Sequence, residues 1–589
     1  MQTRNFPSIS LIFLVTFMVS FFISNRLFRA DIAGWKQIIS SDGFGYYAYL
    51  PAVFIDHDLS FKKVREREAK IMQDPRYEPS YLVKYRGHTL NKYFCGEALL
   101  LLPFFLLATI FSWISGIEIS GYSFYYQVFT GIGALFYLAL GLYFLMRLIQ
   151  YLGIRPLVNG LVLAAILLGT NLFYYSLWRP SMSHTYSFFA INGFLLAVCR
   201  GIPELRLNKA IVSGFFLAII ILIRPTNAII LLLVPFLFND FAEFKRFTGQ
   251  VVRKKSIIIV FILVLFLLVI LQLLLWYLQT GRFLLWPYRN EGFRFTHPEI
   301  LNVLFGYRKG LFVYTPLILL SLFGLIPLFF RTRLKFYSMF VFLIFAIYII
   351  ASWWNWEYGD SFGLRAFIDF YGIFALLLAI LVNRLKFIYS NIVLAFIFLL
   401  FIFLNFFQTW QYKEEIIHHW AMNKLKYNYV FLKADPIYGK CFGSWFDMPP
   451  YSVDLSDPLR IFKNNFESVP VYSSGLDIRT NRLSPVPVTF YITGSFMVRD
   501  STAGASNNAL LVTSIDSIHQ GENYWFGFPI NDIPVNQPRL WRKCQFSILL
   551  PEILNPSARL RIYVWNRDMK LFQIDDFILN LYIDRKQKD

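Results

Sequence analysis

Apolar residues fill the first two thirds of the chain in long blocks separated by short polar connectors. After a first block from Ile9 to Ile23, further blocks begin near Ala98, Tyr125, Leu157, Tyr186, Ala210, Ala228, Ser256, Leu311, Phe336, Phe367 and Ile388. A hydrocarbon core of ~30 Å needs about 20 residues of helix, so the pattern predicts roughly 11–13 membrane spans. The first block follows Arg4 and has no small-residue cleavage site after it, which reads as an uncleaved anchor. A long polar interval over residues 31–94 separates it from the next. The blocks flanking Arg224-Pro225-Thr226-Asn227 are only about 15 residues long, which suits helices that stop partway and line a polar cavity.

Beyond about Trp410 the texture changes. Lys413 to Leu432 reads as an amphipathic helix leaving the membrane, and from Val453 onward short β-type runs alternate with Pro/Gly/Asn turns. Leu560, Ile562 and Val564 share one face of a strand, as do Phe577, Leu579 and Leu581. Alternation at period two with frequent turns predicts an antiparallel sandwich. The expected fold class is therefore a multispan α-helical membrane protein with a C-terminal all-β sandwich of jelly-roll type. Residues 1–410 form the membrane domain, with 31–94 an external loop carrying juxtamembrane helices. Residues 411–452 form the exit helix and linker, and 453–589 the external sandwich.

Composition agrees. Hydrophobic residues make up 57% of 589 and charged residues 16%, where a soluble domain has roughly 25% charged; mean hydropathy is +0.50. The net charge of +20 is not a nucleic-acid signature. Much of the excess sits in short connectors: Lys245, Arg246, Arg253, Lys254, Lys255; Arg331, Arg333, Lys335; Arg384, Lys386. That is the positive-inside pattern of a multi-pass protein in a bacterial plasma (inner) membrane. Residues 31–94, 178–184, 224–227, 281–309, 352–365 and everything after Gln408 then face the periplasmic side. One conflict of parity remains. An outer 31–94 and an inner Arg147–Arg155 cannot both hold if Ala98–Trp113 and Tyr125–Leu145 are both full spans, so one assignment fails or one segment is re-entrant. Long loops escape the charge rule, and 31–94 is kept outside. Four cysteines are too few for a disulfide framework, Cys441 and Cys544 being the pair that shares the soluble end.

Charged groups at membrane depth are costly and mark function by default. The first candidate is Asp42, in Ser41-Asp42-Gly43-Phe44-Gly45-Tyr46-Tyr47-Ala48-Tyr49-Leu50-Pro51. An acid followed by aromatics at the membrane rim suits a base that deprotonates an acceptor hydroxyl; a helix-capping Asp is the alternative. Cations on the same side suit an anionic head group through charge-assisted hydrogen bonds: Arg179 and His184, Arg224, Arg308 with Lys309, and Arg365. For each alone, snorkelling to lipid head groups is the competing explanation. The densest cluster runs from Trp353 to Arg365. Its indoles, Trp354 and Trp356 among them, suit stacking on a sugar face, and Glu357 and Asp360 suit hydroxyl binding or assistance to transfer. An interfacial aromatic belt needs no adjacent Glu, Asp and Arg.

The loop Asp, then Tyr46-Tyr47 and Pro51, then Asn91-Lys92-Tyr93-Phe94-Cys95-Gly96 before the next block, resembles the glycosyltransferase C (GT-C) superfamily. These multispan enzymes move a sugar from a polyprenyl-phosphate carrier to an acceptor outside the membrane. The resemblance covers residues 1–410 as architecture and is specific around Asp42 and Lys92. In the aminoarabinose and protein mannosyl transferases the loop Asp is followed by Glu, whereas Gly43 stands here. The resemblance implies that Asp42 is the catalytic base and that Lys92 holds the carrier phosphate, with Tyr46, Tyr47 and Tyr93 beside the substrate. The partners implied are membrane lipids, a polyprenyl-phosphate-linked sugar, and an acceptor glycan, lipid or protein, with no nucleic acid.

Other motifs are thinner. Asp56-His57-Asp58 resembles the acid-x-acid metal motif of nucleotide-sugar enzymes, and His418-His419 has no further ligand at helical spacing; a divalent metal is left open. Tyr563-Val564-Trp565-Asn566 and Gln573-Ile574-Asp575-Asp576-Phe577 resemble the closing strands of carbohydrate-binding jelly rolls, whose aspartates are either structural or hold calcium. Two readings from other classes compete with transfer: a transporter or flippase of lipid-linked saccharides, which needs charges along a path through the membrane, and a non-catalytic glycan-binding scaffold.

Overall fold

The apolar blocks fold as helices because a backbone in hydrocarbon must satisfy its own hydrogen bonds. The computed structural model describes residues 5–27, 34–72, 78–289, 291–384, 388–419, 422, 424–434, 453–466, 471–500, 509–519, 522–530 and 541–584. Two units emerge, Met1–Tyr358 with Phe362–Phe406, and Gly359–Ser361 with Phe407–Asp589.

Among the described residues of the chain, seven helices are long and apolar enough to cross a membrane: Phe6–Leu27, Gly96–Ile114, Phe124–Tyr151, Lys255–Thr280, Arg333–Ala351, Arg365–Asn383 and Val393–Lys413. The number is nine if each of two bent pairs is one span, and Leu207–Ile223 and Pro316–Arg331 are shorter apolar helices. One bent pair, Pro156–Leu168 with Leu172–Trp178, turns by 59°. The other, Pro225–Leu237 with Phe241–Arg253, turns by 116°. Its first arm is 3₁₀ helix over Pro225–Leu233 and Pro235–Leu237. A 3₁₀ helix rises ~2.0 Å per residue against 1.5 Å for an α-helix, so this short run reaches about 26 Å. The run after Arg224 therefore does not stop as early as its residue count suggests. The second arm buries none of its residues. The Asp240 carboxylate accepts from the Glu243 amide at 2.8 Å, and the Glu243 carboxylate from the Asn239 amide at 2.9 Å. This capping arrangement starts a surface helix that displays Lys245, Arg246 and Arg253.

Contacts tie the segments that flank Gly96–Ile114 to one short helix, Gly43–Tyr47. Gly45 packs so closely on Tyr93, just before the long helix, that an added Cβ would lie 2.5 Å from its ring. The Tyr47 ring packs on Phe105 mid-helix (centroids 6.0 Å apart), and its hydroxyl donates to the Gly121 carbonyl at 2.7 Å, just after the helix. At the start of Phe124–Tyr151, the Gln127 carbonyl accepts from the Ile39 amide at 2.7 Å. By length and composition Gly96–Ile114 and Phe124–Tyr151 both qualify as spans, and they pack antiparallel, with the Thr109 and Tyr126 hydroxyls 2.9 Å apart and the Tyr137 hydroxyl donating to the Leu100 carbonyl at 2.7 Å. A re-entrant Gly96–Ile114 would keep both of its flanking segments on the side of Asp42.

The sandwich follows from its alternation. With β1 (Leu82–Tyr85) and β2 (His88–Asn91) forming a hairpin in the first unit, the second unit contains β3 (Arg460–Phe466), β4 (Leu476–Arg479), β5 (Thr489–Asp500), β6 (Leu510–His519), β7 (Glu522–Pro529), β8 (Arg542–Leu549), β9 (Arg559–Trp565) and β10 (Phe572–Asp584). Two antiparallel sheets have the orders β3-β10-β5-β8 and β4-β9-β6-β7, the interleaving of a jelly roll. Leu560, Ile562, Val564, Phe577, Leu579 and Leu581 all face the shared core. A bulge in β10 between Asp575 and Ile578 keeps both halves of that strand in phase with the core. Cys544 is buried, and Cys441 lies outside the described residues.

The segment from Lys413 to Leu432 is not one helix. The helix Ile388–Lys413 ends where Glu415 adopts φ 56°. The Glu415 amide donates to the Tyr412 carbonyl and the Ile416 amide to the Gln411 carbonyl, a Schellman closure without its usual glycine. Among the described residues between there and Leu432, only Lys424–Val430 is helical.

Single cysteines test the re-entrant segment in a background lacking the native ones. Lys84→Cys and Glu118→Cys should react with an impermeant maleimide from the same side of sealed vesicles, and Tyr151→Cys from the opposite side. Labelling of positions 84 and 118 from opposite sides would overturn the arrangement.

Candidate functional site

The chain around Asp42 is shaped by close approaches. The Ser40 amide donates to the Ser181 hydroxyl at 3.2 Å, and that hydroxyl donates to the Ile38 carbonyl at 2.9 Å. A Cβ on Gly43 would stand 2.0 Å from the Ser181 oxygen, so this position admits no side chain while the contact holds. Asp42 occupies the cap position of Gly43–Tyr47, yet its side chain makes no capping bond. It turns instead to Arg365, whose Nη2 donates to Oδ2 at 2.5 Å. Burial alone would raise the Asp42 carboxyl; the Arg365 guanidinium, with smaller contributions from Tyr93 and Lys92, outweighs it and holds the group below its usual range. Asp42 is therefore ionised near neutral pH, the state that a proton acceptor requires.

A second cluster lies one helical turn along from Arg365. Asp369, fully buried, accepts from Asn227 Nδ2 at 2.7 Å and Arg224 Nη1 at 3.1 Å, and its other oxygen lies 2.8 Å from His184 Nδ1. Arg224 also donates to the Ser183 hydroxyl at 3.3 Å. Arg224 caps the helix Leu207–Ile223, and Gly96 meets the backbone of Leu222 and Ile223. That contact brings Glu97 within electrostatic reach of Arg224. Neither carboxylate oxygen of Glu97 has a hydrogen-bond partner among the described residues.

Aromatic rings join these groups. Tyr46 stacks on Tyr93 at 4.3 Å, Tyr93 meets Tyr288 edge-on at 6.3 Å, and Tyr288 meets Trp353 at 5.4 Å. Lys92 pairs with Glu291 at 2.8 Å and lies over the rings of Tyr93 and Tyr288. Tyr46 is also within reach of Arg224 and Ser183. The aspartate after the first helix and the start and end of the tryptophan-rich stretch thus lie around one ring-lined region.

The remaining expectations divide. Asp42, Tyr46, Lys92, Tyr93, His184, Arg224 and Arg365 come together. Arg179 is one step away, donating to the Ser40 hydroxyl at 3.2 Å. Tyr47 turns into the protein core through the bond to Gly121 described above, which leaves its hydroxyl committed. Glu357 is held by a buried ion pair with Arg308, and Lys309 beside it is buried. Trp356 is buried and Trp354 is 40% exposed. Asp360 belongs to the second unit, where it accepts from the Tyr412 hydroxyl at 2.8 Å. Of the acid-x-acid motif, Asp56 takes both arms of Arg67 and Asp58 bonds Ser60, so the two acids serve different partners. No group of three His, Cys, Asp or Glu side chains suited to a metal ion occurs among the described residues. Asp369, Asn227, Tyr288, Glu291 and Glu97 were not anticipated; a lone acid opening an apolar run was the available signal for Asp369.

No family model matches the sequence, and no curated protein matches it. Among solved structures, a cryo-EM structure of the arabinosyltransferase EmbB from Mycobacterium smegmatis is similar, with a TM-score of 0.35 and 12% identity over 98% of this chain and 67% of that one.

Asp369→Asn should leave the partly buried cation Arg224 without its fully buried counter-charge. Loss of one partner of a buried pair costs about 3–5 kcal/mol, so the variant should show a clearly lower melting temperature in detergent. A melting curve that superimposes on the unsubstituted protein's would show that the pair does not stabilise the fold.

Proposed function

We propose that this protein is a membrane glycosyltransferase that moves a sugar from a polyprenyl-phosphate-linked donor to an acceptor at the outer face of a bacterial plasma membrane. The observation that carries the reading is Asp42. It stands where a capping aspartate would, leaves the cap unmade, and is kept ionised by Arg365 among tyrosines and further cations. The gathering of charges at one end of the helices favours this reading over a transport path.

In the proposed reaction the acceptor hydroxyl gives its proton to Asp42 as its oxygen bonds the anomeric carbon. The bond from that carbon to the phosphate oxygen breaks, and the carrier phosphate leaves with the electron pair. Charge grows on that phosphate, so donors aimed at it are the largest expected contribution. Arg224 and Arg365 each use part of a five-donor guanidinium on their carboxylates, which leaves N–H groups for phosphate oxygens. Lys92 adds a point charge beside the rings, and the rings offer faces to the sugar. The sandwich unit has the strand order of many modules that do not bind sugar, so it adds no weight.

Asp42→Asn retains shape and removes the base, an effect of about 10²–10⁴-fold on transfer. Glycan profiling of the envelope from a strain producing this variant at the normal level should show loss of one modification. An unchanged profile would remove the catalytic role of Asp42.

A further inference from the structure

The helix Lys62–Met72 carries a carboxyl where its packing calls for an apolar residue. Val64 and Glu68 form its buried face, with Glu68 fully buried and Phe61 buried just ahead of the helix. A leucine there would avoid the cost of desolvating an acid. Glu68 Oε1 accepts from the hydroxyls of Tyr81 at 2.7 Å and Tyr122 at 2.9 Å, while Oε2 is buried without a partner among the described residues.

Both tyrosines grip the helix that follows Asp42. The Tyr81 side chain packs against Gly45, where an added Cβ would lie 2.6 Å from its ring. The Tyr81 carbonyl accepts from the Lys92 amide at 2.8 Å. The Tyr122 ring packs on Tyr47 (centroids 5.6 Å apart) and Phe44 (6.1 Å).

We propose that Glu68 is a positioning residue for Asp42: through Tyr81 and Tyr122 it clamps the helix Gly43–Tyr47, and loss of its proton loosens the clamp. The inference rests on the transfer reading only for its consequence, since the clamp itself is a property of the fold. The groups facing Glu68 are the phenols of Tyr81 and Tyr122, with Tyr47 beyond Tyr122. Burial pushes the carboxyl up to about 7, against smaller opposing effects of the two phenols. A neutral carboxyl can stay where it is. A carboxylate with one oxygen unpaired is drawn toward water, and its helix with it.

The sign follows from proton linkage. The clamped state holds the proton up to about pH 7, whereas a solvated glutamate releases it near 4.5. The stability Glu68 contributes is complete below about 4.5, declines as pH rises, and is gone above about 7. The opening constant of the clamp should therefore rise about tenfold per pH unit across that window and then level off.

Hydrogen exchange of the Tyr46 and Ala48 amides in the full-length protein in nanodiscs, corrected for intrinsic rates, reads this directly. The expected result is that rise and plateau in the unsubstituted protein and a flat profile in Glu68→Gln, which keeps an acceptor for both phenols but does not titrate. Tyr122→Phe removes one hydrogen bond to the carboxylate and should move the plateau to higher pH, which keeps the test open if Glu68→Gln fails to fold. Equal pH dependence in all three proteins would overturn the proposal. Glycan profiles of cells grown on either side of pH 7 then carry the transfer arm. An Asp42→Asn strain with an unchanged profile would retire the transfer reading while the exchange data judge the clamp on their own.

Discussion

Everything at the Asp42 end of the helices depends on one constraint: a charge withdrawn from water must find its opposite. Attraction between unit charges at contact rises from about 1 kcal/mol in water to several in a protein interior, and the desolvation penalty rises with it. Three cations meet that constraint with acids from distant parts of the chain: Arg365 with Asp42, Arg224 with Asp369, and Lys92 with Glu291. These pairs draw the first loop, the breaks between helices and the segment before Arg365 to one place. Apolar packing cannot specify that convergence, since lipid and leucine are equally apolar.

Close backbone approach does the rest. Gly43 against Ser181, Gly45 against two tyrosines and Gly96 against Leu222 each permit a contact that any side chain would block. They fix where the chain carrying Asp42, Lys92 and Glu97 meets its neighbours by backbone fit, a constraint separate from the ion pairs. Stiff aromatic rings then fill the space between the charged groups. Rings lose little rotational freedom on burial compared with the long aliphatic chains that could replace them.

The sequence made the architecture legible wherever one periodicity ran uninterrupted. Long apolar blocks became helices, and the alternation of Leu560, Ile562 and Val564 became a core-facing strand. It misled where local chemistry overrode the pattern. Gly96–Ile114 has the composition of a span, and nothing in that composition announces that the segments on either side of it both pack against Gly43–Tyr47. The end of Ile388–Lys413 has no glycine to announce it, because Glu415 takes the left-handed turn itself. In the site, Asp42, Lys92 and Arg365 were visible because they stand in polar stretches. Asp369 and Glu97 offered only the signal of a lone acid opening an apolar run, and each shows its role only through a partner over a hundred positions away. Tyr46 and Tyr47, adjacent and identical in type, go to different destinations; a helix points neighbours about 100° apart, and no pattern says which of the two meets the charged cluster.

The balance of charge within the cluster bears on turnover in the proposed reaction. Unpaired cations would bind a polyprenyl phosphate most tightly after transfer, when its charge is greatest, and product release would then be slow. Cations already matched by Asp42, Asp369 and Glu291 offer directed N–H donors with little net positive charge. Such donors favour the developing phosphate charge through geometry, which is the part of binding that accelerates the chemical step. The ion pair that keeps Asp42 ionised also makes it a weaker base, so its proton affinity must rise as the acceptor arrives. An acceptor hydroxyl inserted between Asp42 and Arg365 would do that by lengthening their contact. On this argument the pair is both the resting state of the site and the barrier against proton transfer in the absence of an acceptor.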